Sequence, residues 1–349
     1  MSAGLAKLLD KSFVLGYALP SLIFLTVAVW VFGCPSALCD AKSPAATNPF
    51  AQLTYAALLV YILAVLLMAI NYGLYRLFEG YLPPASWFRF SKHFHQARLA
   101  ERQKAIDALG NDPSAGALKW QLRQAYPQKK SDVLPTAFGN AIRAFEVYPY
   151  DTYGADSISV WPRLLAVVPK DFQGLINDAK SLVDLFVNLA ALFLGLFLFS
   201  ASVDVLQHFG VRFHLAPPHA GGRWSIVALA SLVASAASYR FAVSLVPDWG
   251  DQVKSAFDCY LPALAKTLGY TMPRTEAARR EVWDGLSGRL LYGEKFDPPY
   301  AADNGHETAP PKKKQHDPVA QRNVAERPQS EATELAPDDE DDAKEGNPD

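Results

Sequence analysis

Four long apolar runs constrain this 349-residue chain more than any other feature of its sequence. They cover residues 13–32, 50–70, 185–203 and 224–246. A helix needs roughly 20 apolar residues to cross the ~30 Å hydrocarbon core of a bilayer. Backbone amides in lipid must bond within their own segment, and a helix does this. The charged residues fall almost entirely outside these runs, whereas a soluble helix would interleave them with apolar residues at its 3.6-residue period. The predicted fold class is therefore an all-α integral membrane protein with four transmembrane helices, a helical cytoplasmic part and a disordered C-terminal tail. The lipid bilayer is its first partner.

The distribution of Lys and Arg sets the expected topology. The stretch 33–49 holds only Lys42, and 204–223 holds Arg212 and Arg223. By contrast, 71–181 holds fourteen Lys or Arg and 247–349 holds thirteen. The short flanks agree, with Lys7 and Lys11 before the first run, Arg76 after the second and Lys180 before the third. Both termini are thus expected in the cytoplasm of a bacterium, with a multi-pass inner-membrane location. The expected order is a cytoplasmic N-terminus (1–12), a first span (13–33), an outer loop (34–49), a second span (50–71) and a cytoplasmic helical region (72–181). A third span (182–203), an outer loop (204–223), a fourth span (224–246), cytoplasmic helices (247–298) and a disordered tail (299–349) follow. Phe32-Gly33-Cys34-Pro35 lacks the small-x-small pattern of a cleavage site, so the first run is expected to stay as a signal anchor.

Proline, glycine and capping residues punctuate the rest. Pro20 lies inside the first span and removes one helical hydrogen bond there. Helices are expected over 91–109 and 114–126, and from Pro135 to Glu146, where Pro149 closes the third. Asp156 suits an N-cap, and the next helix either starts near Pro162 or kinks there. Asp171 suits the cap of a helix running into the third span. Pro247 marks the exit of the fourth span. Val253, Phe257, Tyr260, Leu264 and Leu268 then recur at helical spacing. Thr275 opens a last helix, and Gly293 stops it. Beyond Tyr300 there is no Phe, Trp or Tyr, and charge blocks such as Lys312-Lys313-Lys314 leave nothing to bury.

The densest polar and aromatic stretch is 138–164. It carries Arg143, Glu146, Asp156 and Arg163, which form a candidate ligand or effector site, or else a capped helix-turn-helix tied by salt bridges. Arg143 and Glu146 are one helical turn apart. Gly139, Asn140, Arg143, Glu146, Tyr148-Pro149, Tyr153-Gly154, Asp156 and Trp161-Pro162-Arg163-Leu164 together resemble a family of uncharacterised bacterial multipass membrane proteins. Arg76 to Tyr81 and Tyr239-Arg240 extend that resemblance. It implies the multipass architecture and brings no reaction with it.

Two charges sit at the lipid boundary. Asp184 opens the third span, and Arg240 lies about six residues inside the fourth. Matching depth suggests an intramembrane pair, either a helix–helix clasp or part of an ion path. Cys34 and Cys39 are close enough in sequence for a disulfide in an oxidising compartment. No catalytic residue set, no metal site and no cofactor is expected. His93-x-His95 lacks further ligands, and His208, His214 and His219 share an outer loop, where interfacial histidines are ordinary. Phosphate-binding, dinucleotide-binding and hydrolase motifs are absent, as is a periodic basic–aromatic surface for nucleic acid. The composition favours a non-enzymatic scaffold or partner-binding protein with a cytoplasmic protein partner. The alternatives are a homo-oligomeric, channel-like protein and a membrane enzyme or effector using 138–164.

Overall fold

The computed structural model describes residues 10–33, 48–82, 85–209 and 223–296. The described residues form helices joined by turns, with no strand. Four helices are long and apolar enough to cross a membrane. Helix α1 covers Lys11–Phe32, α2 Pro49–Glu79, α8 Lys170–His208 and α9 Arg223–Thr267. Between α2 and α8 lie α3 (Ala85–Leu109), α4 (Pro113–Ala125), α5 (Ala137–Glu146), α6 (Tyr148–Tyr153) and α7 (Ser157–Leu164). Helix α10 (Glu276–Tyr292) follows α9. The cysteines 34 and 39, histidines 214 and 219, and the tail from 299 lie outside the described residues, as do most of both expected outer loops.

Helices α8 and α9 set the frame. They have 39 and 45 residues. At 1.5 Å per residue they are about 58 and 68 Å long, roughly twice the hydrocarbon thickness. They run antiparallel along their shared length, because Phe172 meets Tyr260, Phe186 meets Phe241 and Phe199 meets Trp224. Ser235 Oγ adds a bond to Ala190 O at 2.9 Å. Helix α1 runs parallel to α8, with Phe24 against Phe193 and Phe32 against Phe199.

Some expected helix boundaries move. Helix α9 does not break where the fourth apolar run ends; it continues through both Pro247 and Pro262. The proline cost is offset by packing on either side, where Val246, Gly250 and Val253 are buried and Gly250 meets the Phe145 ring. Pro149 opens α6 at its first turn instead of only closing the helix before it. Asp171 is a first-turn acid, not the cap; Pro169 holds the cap position of α8. Pro162 lies inside α7, which starts at Ser157 behind its Asp156 cap. Gly293 ends α10 at φ 70°, as its sequence position suggests.

Proline also shapes α1. Val14–Ala18 is a π-helical segment, and Leu19 N–H reaches back to Val14 O. Pro20 cannot donate to Gly16 O, four residues earlier. The fully buried Asn188 supplies the missing donor instead: its Nδ2 reaches Gly16 O at 2.8 Å. One side chain of α8 thus repairs the break in α1 and fastens the two helices together.

One apolar core runs from Val183, Val187, Ala242 and Val246 on α8 and α9 to Trp283 and Leu286 on α10. Phe138, Ile142 and Phe145 of α5 and Val160 and Leu164 of α7 belong to it. A smaller core of Leu99, Leu122, Tyr126 and Val133 holds the α3–α4 hairpin.

Candidate functional site

The polar residues of 138–164 are placed by helix ends. Thr136 caps α5 through Gly139 N, at 2.9 Å. Asn140, fully buried, accepts from Leu134 N at 2.7 Å and donates to Leu134 O and Thr136 O at 2.9 and 2.7 Å. Gly139 lets the end of α2 come close: a Cβ there would sit 2.6 Å from Glu79 O. Asp156 accepts from Ser159 N at 2.7 Å, and its own N–H donates to Ser287 Oγ of α10 at 2.9 Å. Arg163 turns back on its helix and donates to Ser159 O at 2.6 Å. Arg143 meets Glu146 at 3.4 Å.

The four candidate residues therefore divide. Arg143 and Glu146 form a half-exposed pair on α5, while Asp156 and Arg163 serve α7. Among the described residues no hydrogen bond or ion pair joins the two sets. The surrounding tyrosines tie the segment to α9. Tyr148 and Tyr153 both donate to Asp258 Oδ1, at 2.8 and 2.7 Å. Burial first, and then the Asp258 carboxylate, raises both phenols above their ordinary range. Trp161 stacks on Phe257 with ring centres 5.8 Å apart. Gly154, at φ 77°, admits the Arg280 backbone of α10, whose carbonyl oxygen a Cβ would meet at 2.6 Å.

Asp184 is the centre of a buried charged cluster to which all four long helices contribute. Lys180, one turn earlier on α8, donates to both carboxylate oxygens at 2.9 and 2.7 Å. Tyr75 Oη of α2 donates to Oδ1 at 2.7 Å, and Asn71 Nδ2 approaches it at 3.4 Å. Helix α1 closes over the carboxylate at Gly16, where a Cβ would lie 3.2 Å from Asp184 Cβ. The Lys180 ammonium also sits 5.1 Å from the Tyr75 ring centre and 5.9 Å from that of Trp249 on α9.

This corrects the expected pairing of Asp184 with Arg240. Asp184 faces α1 and α2 and takes Lys180 as its counter-ion. Arg240 is exposed and makes no ion pair among the described residues. The reason is helical phase: Tyr239 turns inward, its hydroxyl accepting from Phe138 N at 3.2 Å, and this sends residue 240 outward. The i,i+4 spacing of Lys180 and Asp184 carried the correct signal. The shared acceptor of Tyr148 and Tyr153 carried none, because Asp258 is more than a hundred residues away in sequence.

His95 packs inside the α3–α4 hairpin, 2.9 Å from Tyr126 Oη, and His93 is exposed. Among the described residues no three His, Cys, Asp or Glu side chains gather as metal ligands would. Comparisons with protein-family models, with curated proteins and with solved structures found no match to this chain.

Proposed function

We propose that this protein is a non-enzymatic scaffold of the bacterial inner membrane. It holds the layer of helices α3–α7 and α10 on the cytoplasmic side as a rigid platform for a cytoplasmic protein partner. Both termini lie on that side in this reading, because Lys and Arg crowd the flanks there. The observation that supports a scaffold is the continuity of the apolar core from α8 and α9 into α5, α7 and α10. The polar side chains of 138–164 serve the same end: they cap helices and bridge to α9 and α10, and so stiffen the platform. Exposed Ile158 on α7 and Tyr292 at the end of α10 offer apolar contact points to a partner.

In-cell photo-crosslinking tests this reading. A crosslinking amino acid at Ile158 and at Tyr292 should yield adducts with one and the same protein. Ile158→Asp should abolish the adduct made from Tyr292. Absence of a common adduct would overturn the scaffold reading. So would ion flux through liposomes carrying a closed ring of purified subunits, which would establish the channel alternative.

A further inference from the structure

Arg240 makes no ion pair among the described residues, yet it lies within the apolar run 224–246 and faces outward. An arginine at that depth requires an anion or a route to water. Val243 and Pro247, on the same face of α9 and one and two turns further along, form one wall of a groove of about 190 Å³. The opposite wall is α3, which contributes Arg98 and Arg102. Their i,i+4 spacing puts both guanidiniums on one helix face. Neither makes an ion pair or hydrogen bond with a described residue. Ala125, Ala137 and Ala141 supply apolar lining, and Tyr126, whose hydroxyl meets His95, completes it. Two arginines without an ion pair among the described residues thus line one small groove where α9 leaves its apolar run, and a third, Arg240, lies one turn before Val243 on the same face of α9.

We propose that this groove binds the phosphate of an anionic phospholipid, gripped by Arg98 and Arg102 of α3 and by Arg240 of α9. A guanidinium fork matches two phosphate oxygens and stays charged at any physiological pH. The depth favours lipid over a soluble phosphate, since Arg240 and Val243 belong to the apolar run and the lining apart from the arginines and Tyr126 is apolar. Phe94, one turn before Arg98 and 58 % exposed, presents an aromatic face beside the groove where acyl chains would lie. The lipid would pin the α3–α4 hairpin to the exit of α9. This inference does not depend on the identity of a protein partner.

The test uses the full chain in a neutral detergent. The shift of its melting temperature is titrated with dihexanoyl phosphatidylglycerol, dihexanoyl phosphatidylcholine and inorganic phosphate. The anionic lipid should stabilise the protein saturably, and the zwitterionic lipid should do so far less. Arg98→Gln, Arg102→Gln and Arg240→Gln should each weaken the apparent affinity about tenfold, as expected for loss of one charged hydrogen-bonded contact. Lys104→Gln, on the other side of α3, should leave it unchanged, and unchanged melting without lipid shows that the variants are folded. Equal response to both lipids, or an undiminished response in the triple variant, would overturn the site. A full shift with inorganic phosphate alone would overturn the lipid as its source.

Discussion

Replacing Asp184 by Leu removes the acceptor on which α1, α2 and α8 converge. The Asp184 side chain is 6 % exposed and that of Lys180 is 35 % exposed. Removing one partner of a buried pair costs about 3–5 kcal/mol, because the other charge is left without compensation. Here Lys180 keeps some access to solvent, which lowers that figure. The Tyr75 hydroxyl, however, loses its acceptor, at about 1–3 kcal/mol. The expected loss is about 3 kcal/mol. Lys180→Met should cost a comparable amount. The double variant should lose less than the sum by about 1–3 kcal/mol, since the two residues are in direct contact. Arg240→Ala shares no partner with Asp184, so its effect should add to that of Asp184→Leu within about 0.5 kcal/mol. Denaturant unfolding in mixed micelles, followed by tryptophan fluorescence, measures all these terms. A loss below about 0.5 kcal/mol for Asp184→Leu, or a coupling to Arg240 as large as that to Lys180, would refute the reasoning.

Asn188→Leu should destabilise by about 1–3 kcal/mol, because Gly16 O loses its donor. Adding Pro20→Ala should recover much of that, since alanine returns an N–H to the same carbonyl; no recovery would show that Asn188 acts otherwise. Gly139→Ala should cost about 1–3 kcal/mol by driving a Cβ into Glu79 O, and a neutral effect in the same unfolding assay would contradict the close approach. Burial first, and Arg98 second, holds the His95 imidazole below its ordinary range. Its contribution to stability is therefore present above about pH 6.5 and is lost as the pH falls below that value. Thermal unfolding between pH 7.5 and 5.5 should fall more steeply in the native chain than in His95→Gln, and parallel curves would remove His95 from the explanation.

The four long helices were legible because an apolar run of span length has one stable solution in lipid. Local stops were legible where a single residue decides them: Asp156 as a cap and Gly293 as an end. Pro247 marked the end of the apolar run but not of the helix, because the cost of a proline is local whereas the burial of Val246, Gly250 and Val253, with Gly250 against the Phe145 ring, is tertiary. Asp184 could be identified as a costly charge near lipid, but its partner depended on helix rotation. A rotation of 100° per residue separates the inward Tyr239 from the outward Arg240, and depth alone cannot resolve that. The clustering of Arg143, Glu146, Asp156 and Arg163 in sequence suggested one site. Turns at Val147 and Gly154 distribute them over two helices with separate tasks.

A rigid platform requires α9 to pass from its apolar run into the helical layer as one rod. A pair of spin labels at exposed Val233 and Thr267, with the native cysteines replaced by serine, measures this in nanodiscs. The labels are 34 residues apart on one helix, so an unbroken rod places them about 50 Å apart with a narrow distribution. A broad distribution, or one centred below about 40 Å, would make Pro247 a hinge and contradict the rigid platform.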